Sequence, residues 1–132
     1  MVIASRFVEE MVRHARGEFP NEACGLLAIE DGRVVEFHPT RNVAQSPVFF
    51  EIDSGELLRL TLDIEDRGLG LGIYHSHTHT PARPSQTDIR LAQYPDALYL
   101  ILSLAEPDSP DLKAFRIVDG VTDEVPVEVS GQ

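Results

Sequence analysis

His75 and His77 flank a single serine at the end of an apolar run, Leu71-Gly72-Ile73-Tyr74, and are followed by Ser85 and Asp88. The apolar run reads as a buried strand. Alternate side chains of a strand share a face, so the two imidazoles point the same way, roughly 6–7 Å apart along the backbone. That spacing suits one metal ion. Ser85 stands where a helix could begin, with Asp88 one turn on. Catalytic zinc sites use three protein ligands and keep the fourth position for water. His75, His77 and Asp88 fit that count. His79 continues the alternation and is an alternative third imidazole, but Thr80-Pro81 suggests that the strand has ended by then, which favours Asp88 and leaves His79 as a pocket-lining residue. A lone histidine is ordinarily a hydrogen-bonded core or surface residue, and Ser-x-x-Asp is ordinarily only a helix cap. Both together, after an apolar strand and across a short proline-containing loop, point to a metal. His14 and His38 lack such a context and are read as solvent-exposed.

The elements that must hold these residues are ordinary. The chain has 132 residues, 42% hydrophobic and 25% charged, which suits one globular domain with a core of its own. Ser5 is a candidate cap for a first helix with a stripe of Phe7, Val8, Met11, Val12 and Ala15, ended by Gly17 and Pro20. Ala23 to Ile29 is an apolar run, and Asp31-Gly32 signals a hairpin into Arg33 to Phe37. Residues 39 to 48 read as loop and Phe49 to Ile52 as a short strand. Asp53 or Ser54 caps a second helix reaching about Arg67, stopped by Gly68. Leu71 to His77 is the metal-bearing strand. Ser85 and Asp88 form a capping box opening a short third helix that Pro95 closes. Ala97 to Leu104 reads as a buried strand. Lys113 to Val118 and Val125 to Val129 follow as strands, with Asp119-Gly120 as a turn. Intermingled helices and strands imply an α/β class, a mixed sheet flanked by helices.

The pattern His-Ser-His, seven residues, Ser, two residues, Asp resembles the signature of the JAMM (MPN+) zinc metallopeptidases. The family also needs a glutamate just before a strand, and Glu22 in Glu22-Ala23-Cys24-Gly25-Leu26-Leu27 matches it. The resemblance extends through Asn42, Ser46-Pro47, Phe49, Asp53 to Glu56, Tyr99 and Phe115 to Gly120, nearly the whole chain. Those parts look most like the bacterial branch that removes cysteine from a small sulfur-carrier protein. It implies the JAMM/MPN fold, of cytidine-deaminase-like form, one Zn2+ per chain held by His75, His77 and Asp88, and Glu22 as general base. Spacing alone leaves Glu22 readable as an exposed loop carboxylate.

Zinc held by two neutral imidazoles and one carboxylate keeps net positive charge and lowers the pKa of its water toward ~7. Glu22 would take the water's proton and pass it to the leaving amine. The Ser85 hydroxyl is a candidate oxyanion donor, although capping claims the same oxygen. Cys24 is read as a small buried residue rather than a nucleophile, since the nearby histidines are committed to metal. The resemblance implies hydrolysis after the C-terminal Gly-Gly of a small ubiquitin-like sulfur carrier, with release of cysteine. Such a tail could lie along a strand edge. Other ubiquitin-like conjugates are an alternative substrate, though 132 residues leave little room for the insertions that grip ubiquitin.

Arg and Lys total 11 against 22 acidic residues, a net charge of −11 that repels phosphate backbones and argues against nucleic acid as partner. No segment approaches the ~18–20 apolar residues of a membrane span. One cysteine excludes an internal disulfide, and with no signal-peptide core at Met1 to Arg6 the expected location is the cytoplasm. The oligomeric state, homodimer included, stays open. A non-catalytic MPN scaffold would lack one or more of the five site residues, all of which are present. A DNA-associated protein of the RadC kind shares His-x-His and Ser-x-x-Asp, but the acidic charge and the missing helix-turn-helix count against it. A zinc nucleoside deaminase needs a Pro-Cys-x-x-Cys pair that the chain lacks.

Overall fold

The computed structural model describes residues 1–131. In chain order the elements are β1 (Val2–Ala4), α1 (Ser5–Glu18), β2 (Cys24–Glu30), β3 (Arg33–Thr40), α2 (Ser54–Asp66), β4 (Gly70–His77), α3 (Gln86–Leu91), β5 (Leu98–Ser103), β6 (Asp111–Val118), β7 (Val121–Val125) and β8 (Glu128–Ser130). Among the described residues the strands form one mixed sheet in the order β7-β6-β5-β4-β2-β3-β1-β8. The α/β class expected from the sequence is the one observed.

The period-two alternation of the central strands divides the core between two faces. Leu27, Tyr74, Leu100 and Leu102 pack with Phe7, Met11 and Ala15 of α1. The intervening residues Leu26, Ile73 and Ile101 pack on the other face with Leu60 and Ile64 of α2. His75 and His77 follow Ile73 in that alternation, so they fall on the face covered by α2 and α3. Strands β2 and β4 run antiparallel and β4 and β5 parallel, which leaves the end of β4 in the middle of the sheet.

Asp31-Gly32 and Asp119-Gly120 each have two successive left-handed residues, at φ 50° and 78° and at φ 51° and 78°. That is the backbone a two-residue hairpin needs, and it joins β2 to β3 and β6 to β7. Gly68, at φ 73°, ends α2, with its N–H and that of Leu69 returning to the carbonyls of Glu65 and Ile64.

Four expectations are corrected. Ala4, not Ser5, is the N-cap of α1, and no side chain caps it; the first residues are instead held as β1, parallel to β3 and β8. Phe49 to Ile52 is not a strand and keeps only an isolated bridge between Asn42 and Ile52. Val125 to Val129 is divided at Pro126, which has no N–H for a ladder, into the end of β7 and the start of β8. His14 is half-buried, packed edge-on against Phe37 and tilted against Tyr74, and burial lowers its pKa.

Candidate metal centre

The antiparallel register of β2 and β4 pairs Cys24 with His75. Two residues back along that register, Glu22 stands across from His77, and cross-strand partners share a face. Ala23 and Ser76 secure this extension: Ala23 N–H donates to Ser76 Oγ at 2.8 Å, and Ser76 N–H to the Ala23 carbonyl at 2.9 Å. One sheet face thus carries Glu22, His75 and His77. Residues 78–84 then turn the chain so that α3 brings in the fourth group. Ser85 caps α3, its Oγ accepting from Asp88 N–H at 3.0 Å, and Asp88 Oδ2 accepts from Ser85 N–H at 2.9 Å. The capping box is complete, and it aims the Asp88 carboxylate back at the strand.

Three donor atoms meet there. His75 Nε2 and His77 Nε2 are 3.1 Å apart, and Asp88 Oδ2 is 3.2 Å from the first and 2.9 Å from the second. A tetrahedral ion with bonds of ~2.0–2.1 Å separates its donors by ~3.3 Å. The triangle matches that edge within a few tenths of an ångström, so the donor set fits a small divalent cation. All three residues are buried. His77 Nδ1 lies 2.8 Å from the Pro81 carbonyl, which can only accept. Nδ1 therefore carries a proton, and Nε2 faces the cluster. Phe50 stacks on His75 at 4.5 Å between centroids, a support that nothing in the sequence pattern signals.

Burial works to raise Asp88, but hydrogen bonds from His75 and His77 outweigh it and hold the carboxyl well below the usual carboxylate range. Burial lowers His75. Burial also opposes charge on His77, yet the hydrogen bonds to Asp88 and Pro81 bring its pKa above the ordinary value. Glu22 is only 4% exposed, and its Oε1 has no hydrogen-bond partner among the described residues. Burial pushes its pKa up to about 8, with His77 pulling it down and Asp88 adding to the rise. An exposed loop carboxylate is thus excluded.

His79 stays out of the cluster, exposed and packed against the Phe19 ring at 5.6 Å. Cys24 is fully buried, 3.4 Å from Thr40 Oγ1, and burial raises its thiol to about 11, which suits a packing role. Ser85 is exposed. Its cap uses a lone pair, so the hydroxyl hydrogen is free, and capping does not compete with donation to an oxyanion. Beside the cluster is a cavity of about 340 Å³ walled by Phe50, Tyr94, Tyr99 and Ile101. It borders His75 and Asp88, and Glu22 is not on its wall.

Residues 4–118 match the family described as prokaryotic homologs of the JAB domain. The chain is 44% identical over 135 aligned residues to the CysO-cysteine peptidase of Mycobacterium tuberculosis, across 100% of this chain and 92% of that protein. It is similar to the solution structure of protein DSY2949 from Desulfitobacterium hafniense, with a TM-score of 0.87 and 40% identity over 99% of this chain and 93% of that one. The crystal structure of AF2198, a JAB1/MPN domain protein from Archaeoglobus fulgidus, shares the fold with a TM-score of 0.62 at 22% identity over 98% of each chain.

Proposed function

The chain belongs to the prokaryotic homologs of the JAB domain, and from that premise we propose that it is a zinc-dependent peptidase of a small ubiquitin-like sulfur-carrier protein. It hydrolyses the bond after the carrier's C-terminal Gly-Gly and releases cysteine from a carrier–cysteine adduct. The observation that carries this reading is the buried carboxylate of Glu22, whose Oε1 has no hydrogen-bond partner among the described residues, cross-strand from His77 and beside three converging donor atoms. The 44% identity, across the whole of this chain, to a protein named CysO-cysteine peptidase supports cysteine as the leaving group. The single free cysteine suits action in the cytoplasm.

One zinc per chain, held by His75, His77 and Asp88, supplies Lewis acidity and an acidified water when bound. Glu22 accepts a proton at its carboxylate and returns it to the departing amine nitrogen. Burial raises its pKa to about 8, which favours holding the proton that it must return. Ser85 offers its free hydroxyl hydrogen to the oxygen that gains charge as the carbonyl is attacked. Because the proton must reach the amine, the leaving group lies on the Glu22 side. The cavity bordering His75 and Asp88 is then left to the acyl side, where the carrier's tail enters.

Metal analysis combined with cysteine release from a purified carrier–cysteine adduct tests the reading. One zinc per chain is expected, with release abolished by a chelator and restored by zinc. Release that continues unchanged after complete metal removal overturns it.

A further inference from the structure

Between β3 and α2 the chain is irregular, yet it is organised around one side chain. Asn42 is buried at 8% exposure. Its Nδ2 donates to the Glu22 carbonyl at 2.9 Å and to the Phe49 carbonyl at 3.3 Å. Its Oδ1 accepts from the N–H groups of Ala44 and Glu51, each at 3.0 Å. A primary amide has two donor hydrogens and two acceptor lone pairs, so all four are engaged. The partners also fix its orientation, since two are carbonyls and two are N–H groups. Glu22 N–H in turn donates to the Ser46 carbonyl at 2.9 Å. Both backbone polar groups of Glu22 therefore end on this loop. The same loop carries Phe50, the residue stacked on His75.

A turn-forming asparagine needs only the bonds to Ala44 and Glu51. The bond to Glu22 does something else: it ties the residue read as the general base to the segment braced against a metal-site histidine. We propose that Asn42 is a positioning residue for the reaction, setting through the Glu22 backbone where the Glu22 carboxylate stands over His75, His77 and Asp88. This rests on the reading of Glu22 as the base. A displacement of ~1 Å at a reacting group can cost ~10²-fold in rate, so a misplaced Glu22 affects turnover more than substrate affinity.

Two variants of the full chain separate the roles. Asn42→Asp keeps an oxygen for Ala44 and Glu51 but sets a second oxygen against the carbonyls of Glu22 and Phe49. Asn42→Ala removes all four bonds. Both are expected to bind zinc at the wild-type ratio and to lose ~10- to 100-fold in kcat with KM changed by less than ~3-fold. A core variant on α2, Ile64→Val, gives the comparison for stability loss alone and is expected to keep its kcat. Amide hydrogen exchange, read without substrate, is expected to quicken at Glu22 in Asn42→Asp while Ala44 stays protected. Unchanged kcat and unchanged Glu22 exchange in Asn42→Asp overturn the proposal. So does a failure of both variants to fold, which would confine Asn42 to stability. If Asn42→Asp shows the Glu22 exchange effect but the wild type never cleaves the adduct, the peptidase reading is refuted instead.

Discussion

Glu22 and Asp88 are both buried carboxylates, yet their surroundings drive them in opposite directions. Asp88 accepts from His75, His77 and Ser85 N–H and stays ionised; Glu22 has an oxygen with no partner, and burial holds its pKa up at about 8. The two should therefore fail differently. Glu22→Gln retains the three donors and is expected to bind zinc normally while losing ~10²–10⁴ in turnover, the usual worth of a positioned base. Asp88→Ala removes a donor and is expected to lose zinc, along with ~1 kcal/mol from its half of the helix cap. Zinc analysis beside single-turnover cysteine release separates them, and near-normal rates in Glu22→Gln would sink the base assignment. The raised pKa also has a consequence for stability. Protonated Glu22 is favoured by the folded state, so its contribution is whole below 4.5 and is lost as pH rises through about 8. Metal-free wild type should match Glu22→Gln in urea stability at the acid end of that window and fall below it at the alkaline end. Parallel curves for the two proteins across the window would refute the shift.

Glu22 lies just ahead of the first residue of strand β2, whose fit against β3 leaves no slack. A Cβ on Gly25 would lie 2.5 Å from the His38 carbonyl oxygen, a backbone atom that cannot swing away. Gly25→Ala is expected to cost ~1–3 kcal/mol by overpacking and, by moving β2 against its neighbours, to lower turnover beyond what the stability loss explains. Thermal melts and rates on the same samples check both; wild-type behaviour would mean the strands part without cost. A second cross-link joins β3 to the end of α2, where Arg67 binds Glu36 through two 2.7 Å hydrogen bonds. Arg67 and then His38 lower Glu36 to about 2. The link is present above 4.5 and lost as pH falls toward about 2, and because the groups are partly exposed, Glu36→Gln should cost under ~1 kcal/mol at neutral pH. A urea midpoint that falls by more than this would show the link to be more than a surface bridge. The elements carrying strong local signals were legible beforehand. Continuous apolar runs marked β2, β4 and β5, Asp31-Gly32 marked the first hairpin, and Asp119-Gly120 marked a turn. The pieces that escaped, β1 and the split between β7 and β8, are short and held by partners far along the chain: Val2 pairs with Glu128 and with Arg33. Three residues carry too little period to announce a strand, and such pairing is decided by the assembled sheet.

Across the whole molecule the site joins the start of β2, the end of β4 and the first turn of α3. Its ligand types and spacing could be read from residues 75 to 88, because a strand and a capped helix each impose a known geometry on neighbours in sequence. The brace of Phe50 on His75 could not, since it depends on how the irregular segment before α2 folds over the sheet. With a metal bound as proposed, the same arrangement makes it a structural link. Helix α3 has only six residues, and an isolated helix of that length is unstable in water; with the ion absent it keeps the capping box and the packing of Ile89. A ligand that binds the folded state at a hundredfold excess over its Kd adds ~2.7 kcal/mol, or roughly 10 °C in Tm for a chain of this size. A chelator should lower the melting temperature of wild type and of Glu22→Gln by about that amount and leave Asp88→Ala unmoved. Hydrogen exchange should quicken across residues 86–91 while the amides of β5, held between β4 and β6, stay protected. If α3 and β5 lost protection together, the metal would be holding up the whole sheet rather than pinning one helix to a finished scaffold. Equal chelator sensitivity in Asp88→Ala would mean that the stabilising ion binds elsewhere.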